Sequence, residues 1–253
     1  MIRFLNQIKG STIHAVDGDI GKVVDCYFDE QRWAVRYLVV ETGTWLSGRQ
    51  VLISPASVDR VDWNEGKVNL NIDRMRVKNS PSADFTRPVS REYESSYSEY
   101  YGYPRYWEGT DIWGSAATPR AYGSRSETAA RTTGGESYPA SEARGTMGTA
   151  ASSERRVADS QLRSAKDVAG YHIRATDGEI GHIDDFLVDR DSWVVDSILI
   201  DTSNMPGGKP VLLRRERIDR IDWNNKEIRV RATTQEIKNS PEYVEETTFG
   251  RRR

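Results

Sequence analysis

Asp17-Gly18-Asp19-Ile20-Gly21 occurs a second time, with one acidic residue exchanged for another, as Asp177-Gly178-Glu179-Ile180-Gly181. The two stretches lie 160 positions apart (177 − 17), and at that offset residues 10–81 overlay residues 170–241 without a gap. Val58-Asp59-Arg60-Val61-Asp62-Trp63-Asn64 falls on Ile218-Asp219-Arg220-Ile221-Asp222-Trp223-Asn224, and Lys78-Asn79-Ser80-Pro81 falls on Lys238-Asn239-Ser240-Pro241. About a third of the paired positions are identical, against roughly one in fifteen expected from average composition. Most other apolar pairs exchange Val, Ile and Leu. Self-similarity at a fixed offset means two copies of one fold.

Within each copy the apolar period is two. Val68-Asn69-Leu70-Asn71-Ile72 and Ile228-Arg229-Val230-Arg231 alternate as half-buried strands do. Residues 35–40 and 194–200 are longer, β-branched and more uniformly apolar, which fits strands covered on both faces. Asp17-Gly18 and Asp177-Gly178 offer a residue of positive φ for a tight hairpin. The pattern predicts five or six short strands per copy, starting near Thr12 and Tyr171. Each copy closes on one helical turn, which Asp73 and Thr233 can cap, Thr233 with Glu236 as a capping box. Pro81 and Pro241 stop the turn.

Strands this short fit a small closed sheet, and closure would remove the exposed edges that invite aggregation. The expected fold class is therefore all-β: two small barrels, of five or six strands plus a short helical turn each, joined by a long flexible linker. A domain of ~75 residues is marginal alone, so the two copies are expected to pack on one another or to form a homo-oligomer. The shared motif residues Asp17, Gly18, Gly21, Trp63, Asp177, Gly178, Gly181 and Trp223 read as structural, with Trp63 and Trp223 plugging a barrel end.

The expected boundaries are 1–84 for the first copy, 85–161 for the linker, 162–246 for the second copy and 247–253 for a basic tail. The linker divides into an aromatic-rich part, 93–113, and a low-complexity part, 114–158, whose composition cannot offset its ordering entropy and reads as a flexible tether. In the aromatic part, Tyr97, Tyr100, Tyr101, Tyr103, Tyr106 and Trp107 are the candidate partner-binding residues, because Tyr and Trp supply anchoring area at low entropic cost. The competing readings are that these rings fold back onto one of the copies or form a merely sticky tract.

The 253 residues are 37% hydrophobic and 29% charged, with a net charge of −2, which argues against a nucleic-acid partner. No apolar run approaches the roughly 20 residues that span a bilayer, so an integral membrane protein is not expected. Met1 to Asn6 lacks the apolar core of a signal peptide, and a cytoplasmic location is the expectation. Cys26, the single cysteine, cannot form an internal disulfide or a CxxC site; it aligns with Phe186 and reads as buried. His172 and His182, near Asp184 and Asp185, align with Thr12 and Lys22, so no metal site is shared by the copies. Asp17 and Asp19 fall short of a calcium loop. No P-loop, GxSxG or HExxH pattern occurs. The expectation is no catalysis, no cofactor and no metal.

The Asp-Gly-Asp-Ile-Gly turn, the Tyr37-Leu38-Val39-Val40 strand and the Val51-Leu52-Ile53-Ser54-Pro55 step resemble the PRC-barrel domain. Two copies followed by Tyr101-Gly102-Tyr103-Pro104-Arg105-Tyr106-Trp107 after the first are similar to bacterial two-copy PRC-barrel proteins. A folded duplicate without catalytic groups, joined by a long tether, leads to the expectation of a non-catalytic adaptor that binds a protein partner, in a stress-associated setting. The resemblance carries two alternatives: an RNA- or ribosome-associated maturation factor, and a reaction-centre-H-like subunit docking on a membrane complex. This chain lacks the membrane helix of the one and the additional unlike barrel of the other.

Overall fold

The alternating and β-branched runs are strands in the computed structural model, which describes residues 1–124, 161–203 and 207–243. Most of the expected tether and all of the basic tail lie outside the described residues. The chain divides into two units: the first takes Met1 and the described parts of Gln7–Lys166 and Asp189–Val194, the second those of Ile2–Asn6, Asp167–Val188 and Val195–Arg253.

The sheet of the first unit contains β2 (Thr12–Ala15), β3 (Gly18–Asp29), β4 (Ala34–Glu41), β5 (Gln50–Ile53), β6 (Val58–Asp62), β7 (Lys67–Leu70) and β8 (Leu162–Ser164). Its order is β5-β4-β3-β2-β7-β6, with β8 on β3. The second unit repeats the plan with β9 (His172–Arg174), β10 (Glu179–Asp189), β11 (Val195–Asp201), β12 (Pro210–Arg214), β13 (Ile218–Asp222) and β14 (Glu227–Val230) in the order β12-β11-β10-β9-β14-β13. Here β1 (Ile2–Phe4) joins β10. Along the two main strand orders, pairing is antiparallel except for β2 with β7 and β9 with β14. Matching positions fill the two cores: Ile13, Ile20 and Leu38 in one unit, Ile173, Ile180 and Ile198 in the other.

The expected barrels are not formed. The end strands β5 and β6 do not pair with each other, nor do β12 and β13, so both sheets are open, with short helices interspersed. The chain between β5 and β6 leaves the extended conformation, and Pro55 has no N–H to give to a ladder. That stretch runs through a 3-10 turn, Pro55–Ser57, in which the Ser54 side chain accepts from the Ala56 N–H at 3.2 Å. The edge at β12 is covered by other means. Residues 241–243 lie along β12, with a Val211–Glu242 bridge and the Leu212 N–H on the Pro241 carbonyl at 3.0 Å. Without a barrel end to plug, Trp63 and Trp223 are half-buried, Trp223 edge-on to Tyr171.

A feature absent from the repeat alignment extends the equivalence. β8 is the counterpart of β1 (162 − 160 = 2), and each lies in the sheet otherwise built from the other repeat. The same side chain receives both. At a register shift in β3, Asp25 accepts from the Lys166 N–H at 3.1 Å and the Ser164 hydroxyl at 2.6 Å. At the matching shift in β10, Asp185 accepts from the Asn6 N–H at 3.2 Å. Burial, opposed by these backbone bonds, pushes the Asp185 carboxyl up to about 6.

The repeated Asp-Gly motif also ties the ends of each copy together. Asp17 accepts from the Arg74 N–H at 2.8 Å, at the start of helix α1 (Arg74–Lys78). Asp177 accepts from the Thr234 N–H at 2.7 Å, where α4 (Thr234–Lys238) begins with the Thr233–Glu236 capping box; α2 (Arg91–Tyr101) and α3 (Ala165–Val168) lie between. Both copies form the hairpin, but the expected positive φ is found at Gly18 (141°) and not at Gly178. Both hairpins after β3 and β10 hold a tryptophan in the left-handed region, Trp33 at φ 53° and Trp193 at φ 59°, an outlier for so bulky a residue. No helix among the described residues is long and apolar enough to cross a membrane.

Gly21 and Gly181 are required by close approach. A Cβ at Gly21 would lie 1.9 Å from the Glu41 carbonyl oxygen, and one at Gly181 would lie 2.1 Å from that of Asp201. Gly21→Ala is expected to cost upwards of about 3 kcal/mol, because strand backbone rather than a mobile side chain must yield. Urea denaturation of the variant measures it.

Candidate interaction site

The aromatic segment begins with a well-capped helix. The Ser90 side chain accepts from the Tyr93 N–H at 3.2 Å, and Gly102 at φ 72° closes the C-terminal end of α2. Glu92 and Glu94 in the first turn complement the helix dipole. Tyr93, Tyr97 and Tyr101 recur every four residues and so share one face, which is laid on the first unit.

The hydroxyls of Tyr93, Tyr97, Tyr100, Tyr103 and Tyr122 each find a fixed partner. The Tyr97 oxygen accepts from the buried Ser54 N–H at 2.9 Å, which satisfies the donor just beyond β5. Tyr93 donates to the Pro81 carbonyl at 3.2 Å, Tyr100 to the Arg76 carbonyl at 2.8 Å, and Tyr103 meets Ser57 Oγ at 2.6 Å. Tyr122, in a helical turn over 119–124, donates to the Pro104 carbonyl. The rings touch in series: Tyr37 to Tyr97 at 5.0 Å, Tyr97 to Tyr101 at 4.5 Å, Tyr101 to Tyr103 at 5.6 Å, and Tyr103 to Tyr122 at 5.6 Å.

Beneath the layer sits Arg36, 1% exposed. Its Nη2 is 3.1 Å from Asp29 Oδ2, and its guanidinium carbon lies 3.9 Å from the Tyr106 ring centroid and 4.7 Å from that of Trp113. Nε and Nη1 have no hydrogen-bond partner, so the two ring faces and the Asp29 carboxylate carry the compensation for a buried cation. Arg32 holds the same loop from outside, donating to the carbonyls of Tyr106 at 3.0 Å and Gly109 at 2.7 Å, and to that of Asp111. Glu94, fully buried, accepts from the Tyr106 hydroxyl at 2.5 Å and faces Arg91 at 2.8 Å. Burial outweighs both partners and pushes its carboxyl up to about 7.

Of the six candidate binding residues, Tyr97, Tyr101 and Tyr106 are buried, while Tyr100, Tyr103 and Trp107 keep part of their surface open. Trp107 stacks under the Arg91 guanidinium, 4.4 Å from its ring centroid. The receiving residues Arg36, Tyr37, Ser54 and Ser57 were not singled out from the sequence. A signal for them existed in the repeat comparison, because their counterparts, Asp196, Ser197, Arg214 and Arg217, differ in charge or size at all four positions. The histidines are paired singly, His14 with Asp19 at 2.6 Å and His172 with Glu179 at 3.1 Å. Among the described residues no three His, Cys, Asp or Glu side chains are grouped to hold a metal.

Residues 2–77 match the family model of the PRC-barrel domain. No curated protein matches the chain.

Two outcomes test this account of the site. Tyr97→Phe strands the buried Ser54 N–H and is expected to cost about 1–3 kcal/mol in denaturant unfolding. Glu94 is held above its ordinary value of 4.5, so its contribution is fully present below that pH and is lost as pH rises through about 7. The unfolding midpoint of the intact chain should fall between about pH 5 and about pH 8, and Glu94→Gln should flatten that slope.

Proposed function

From membership of residues 2–77 in the PRC-barrel domain family, a non-catalytic interaction module, we propose that the chain is a scaffold that holds a protein partner. The observation that carries the proposal is the duplicated unit, one copy of which has its aromatic cover supplied in cis. Two folded modules in one chain raise the effective concentration of whatever binds both. In this reading the buried tyrosines organise the first unit, and the open parts of Tyr100, Tyr103 and Trp107 form the partner-facing surface. The adaptor role, its association with stress and a cytoplasmic setting belong to this proposal.

An RNA-associated role would draw on the arginines of the second unit. Arg214, Arg215, Arg217, Arg220 and Arg229 each lie within 4.0 Å of a carboxylate oxygen, which leaves little unbalanced positive charge for phosphate. The protein-partner reading is favoured for that reason.

The test is affinity purification of the intact chain beside Trp107→Ala, with bound proteins identified by mass spectrometry. The variant should lose most of its captured partner while its melting temperature stays within a few degrees, since a hot-spot residue contributes ~2 kcal/mol or more to binding. Equal capture by both chains would remove the aromatic segment from the interface. Capture of ribosomal proteins by both would favour the maturation-factor alternative.

A further inference from the structure

The strand β6 ends its sheet, and its outer edge pairs with no other described strand. Four successive residues of that strand, Val58 to Val61, line one side of a groove of about 310 Å³ within the first unit. Trp63, Trp193, Pro119, Arg120 and Arg190 line it as well. Every lining residue belongs to the first unit. An unpaired strand edge beside a hollow is the arrangement by which sheets take up an extended peptide: backbone groups give affinity, and alternate side chains enter the hollow.

Two further observations point to an occupant and to its chemistry. Trp63 Nε1 is shielded from solvent yet has no hydrogen-bond partner, a donor left open beside the groove. Charge at the rim is unbalanced: three guanidinium groups, Arg60, Arg120 and Arg190, stand against the carboxylates of Asp59 and Asp191, and Asp59 already faces Arg120 at 3.6 Å. We propose that this groove binds an extended segment of a partner protein as an added strand, seating an apolar side chain between the two indoles and an acidic one at Arg60 and Arg190. The proposal rests on the scaffold reading and names its site and the partner's chemistry. The second unit supplies an internal control. Its terminal strand β13 carries the same pattern, Ile218-Asp219-Arg220-Ile221-Asp222, but Pro119 and Arg120 have no described counterpart there.

The test pans a displayed library of random linear peptides on the intact chain and measures binding of the enriched peptides to the intact chain, to Arg60→Glu/Arg120→Glu and to Arg220→Glu. All three substituted arginines are exposed, so the fold should tolerate the changes. The expected result is enrichment of peptides with an acidic residue near an apolar one. Binding should weaken about ten-fold or more in the double variant and less than about two-fold in Arg220→Glu. Hydrogen exchange should slow at residues 58–61 on binding. Equal affinity for the double variant, slowing confined to other segments, or no enriched peptide would overturn the proposal. A concentration-dependent dimer that slows the same amides without peptide would overturn it in favour of a second copy of the chain. Should the groove fail while Trp107→Ala still loses its captured partner, the scaffold reading stands and this site alone falls.

Discussion

The constraint on which the structure depends is the disposal of open sheet edges. A strand at the end of a sheet presents N–H and C=O groups that must meet a partner or water, and neither sheet closes on itself. At β5 the solution is a helix whose Tyr97 hydroxyl takes the Ser54 N–H. At β12 it is the backbone of residues 241–243. Along β3 and β10 it is a short strand delivered from the other repeat and received by Asp25 or Asp185. The aromatic segment therefore belongs to the same class of device as the exchanged strands: each supplies what closure of a barrel would have supplied.

The two units have diverged most where those devices differ. In the first, Arg36 is buried between Tyr106 and Trp113, and Glu94 is buried against Tyr106 and Arg91. Removing charges from water is costly, and a cluster of this kind persists only where ring faces, hydroxyls and opposite charges converge on it. In the second, Asp196 occupies the place of Arg36 and faces Arg214 at 3.6 Å near the surface. One repeat thus uses its charges to fix a covering segment, the other to solvate a face.

Much of this was legible in the sequence, and the limits have physical causes. The offset of 160 and the period-two runs disclosed two like units, their strands and the closing helical turns, because those features are local. Closure was not legible. Nothing in the residues of β5 and β6 states whether two strands separated by Pro55 will pair, since that is a property of sheet twist and of what else reaches the edge. The exchange of β1 and β8 was hidden because only Arg3 and Arg163 are identical among the residues of those strands. The aromatic density of 93–113 marked a site but not its sign: a tyrosine that anchors a partner and one that anchors its own chain have the same composition. Arg36 stands out only after the two repeats are compared position by position, and Glu94 lies outside the repeated residues altogether.

The interleaving of the repeats has a consequence for the order in which the protein can be finished. Ile2–Phe4 leaves the ribosome long before Glu179–Asp189, yet its place is beside that strand. At ~5–20 residues per second, that strand waits roughly 10–30 s for its seat to be synthesised. The first sheet, nearly complete by Leu70, likewise stands open along β3 until Leu162–Ser164 emerges. Neither unit can be completed as an independent nascent domain, because each sheet takes one strand from the other repeat.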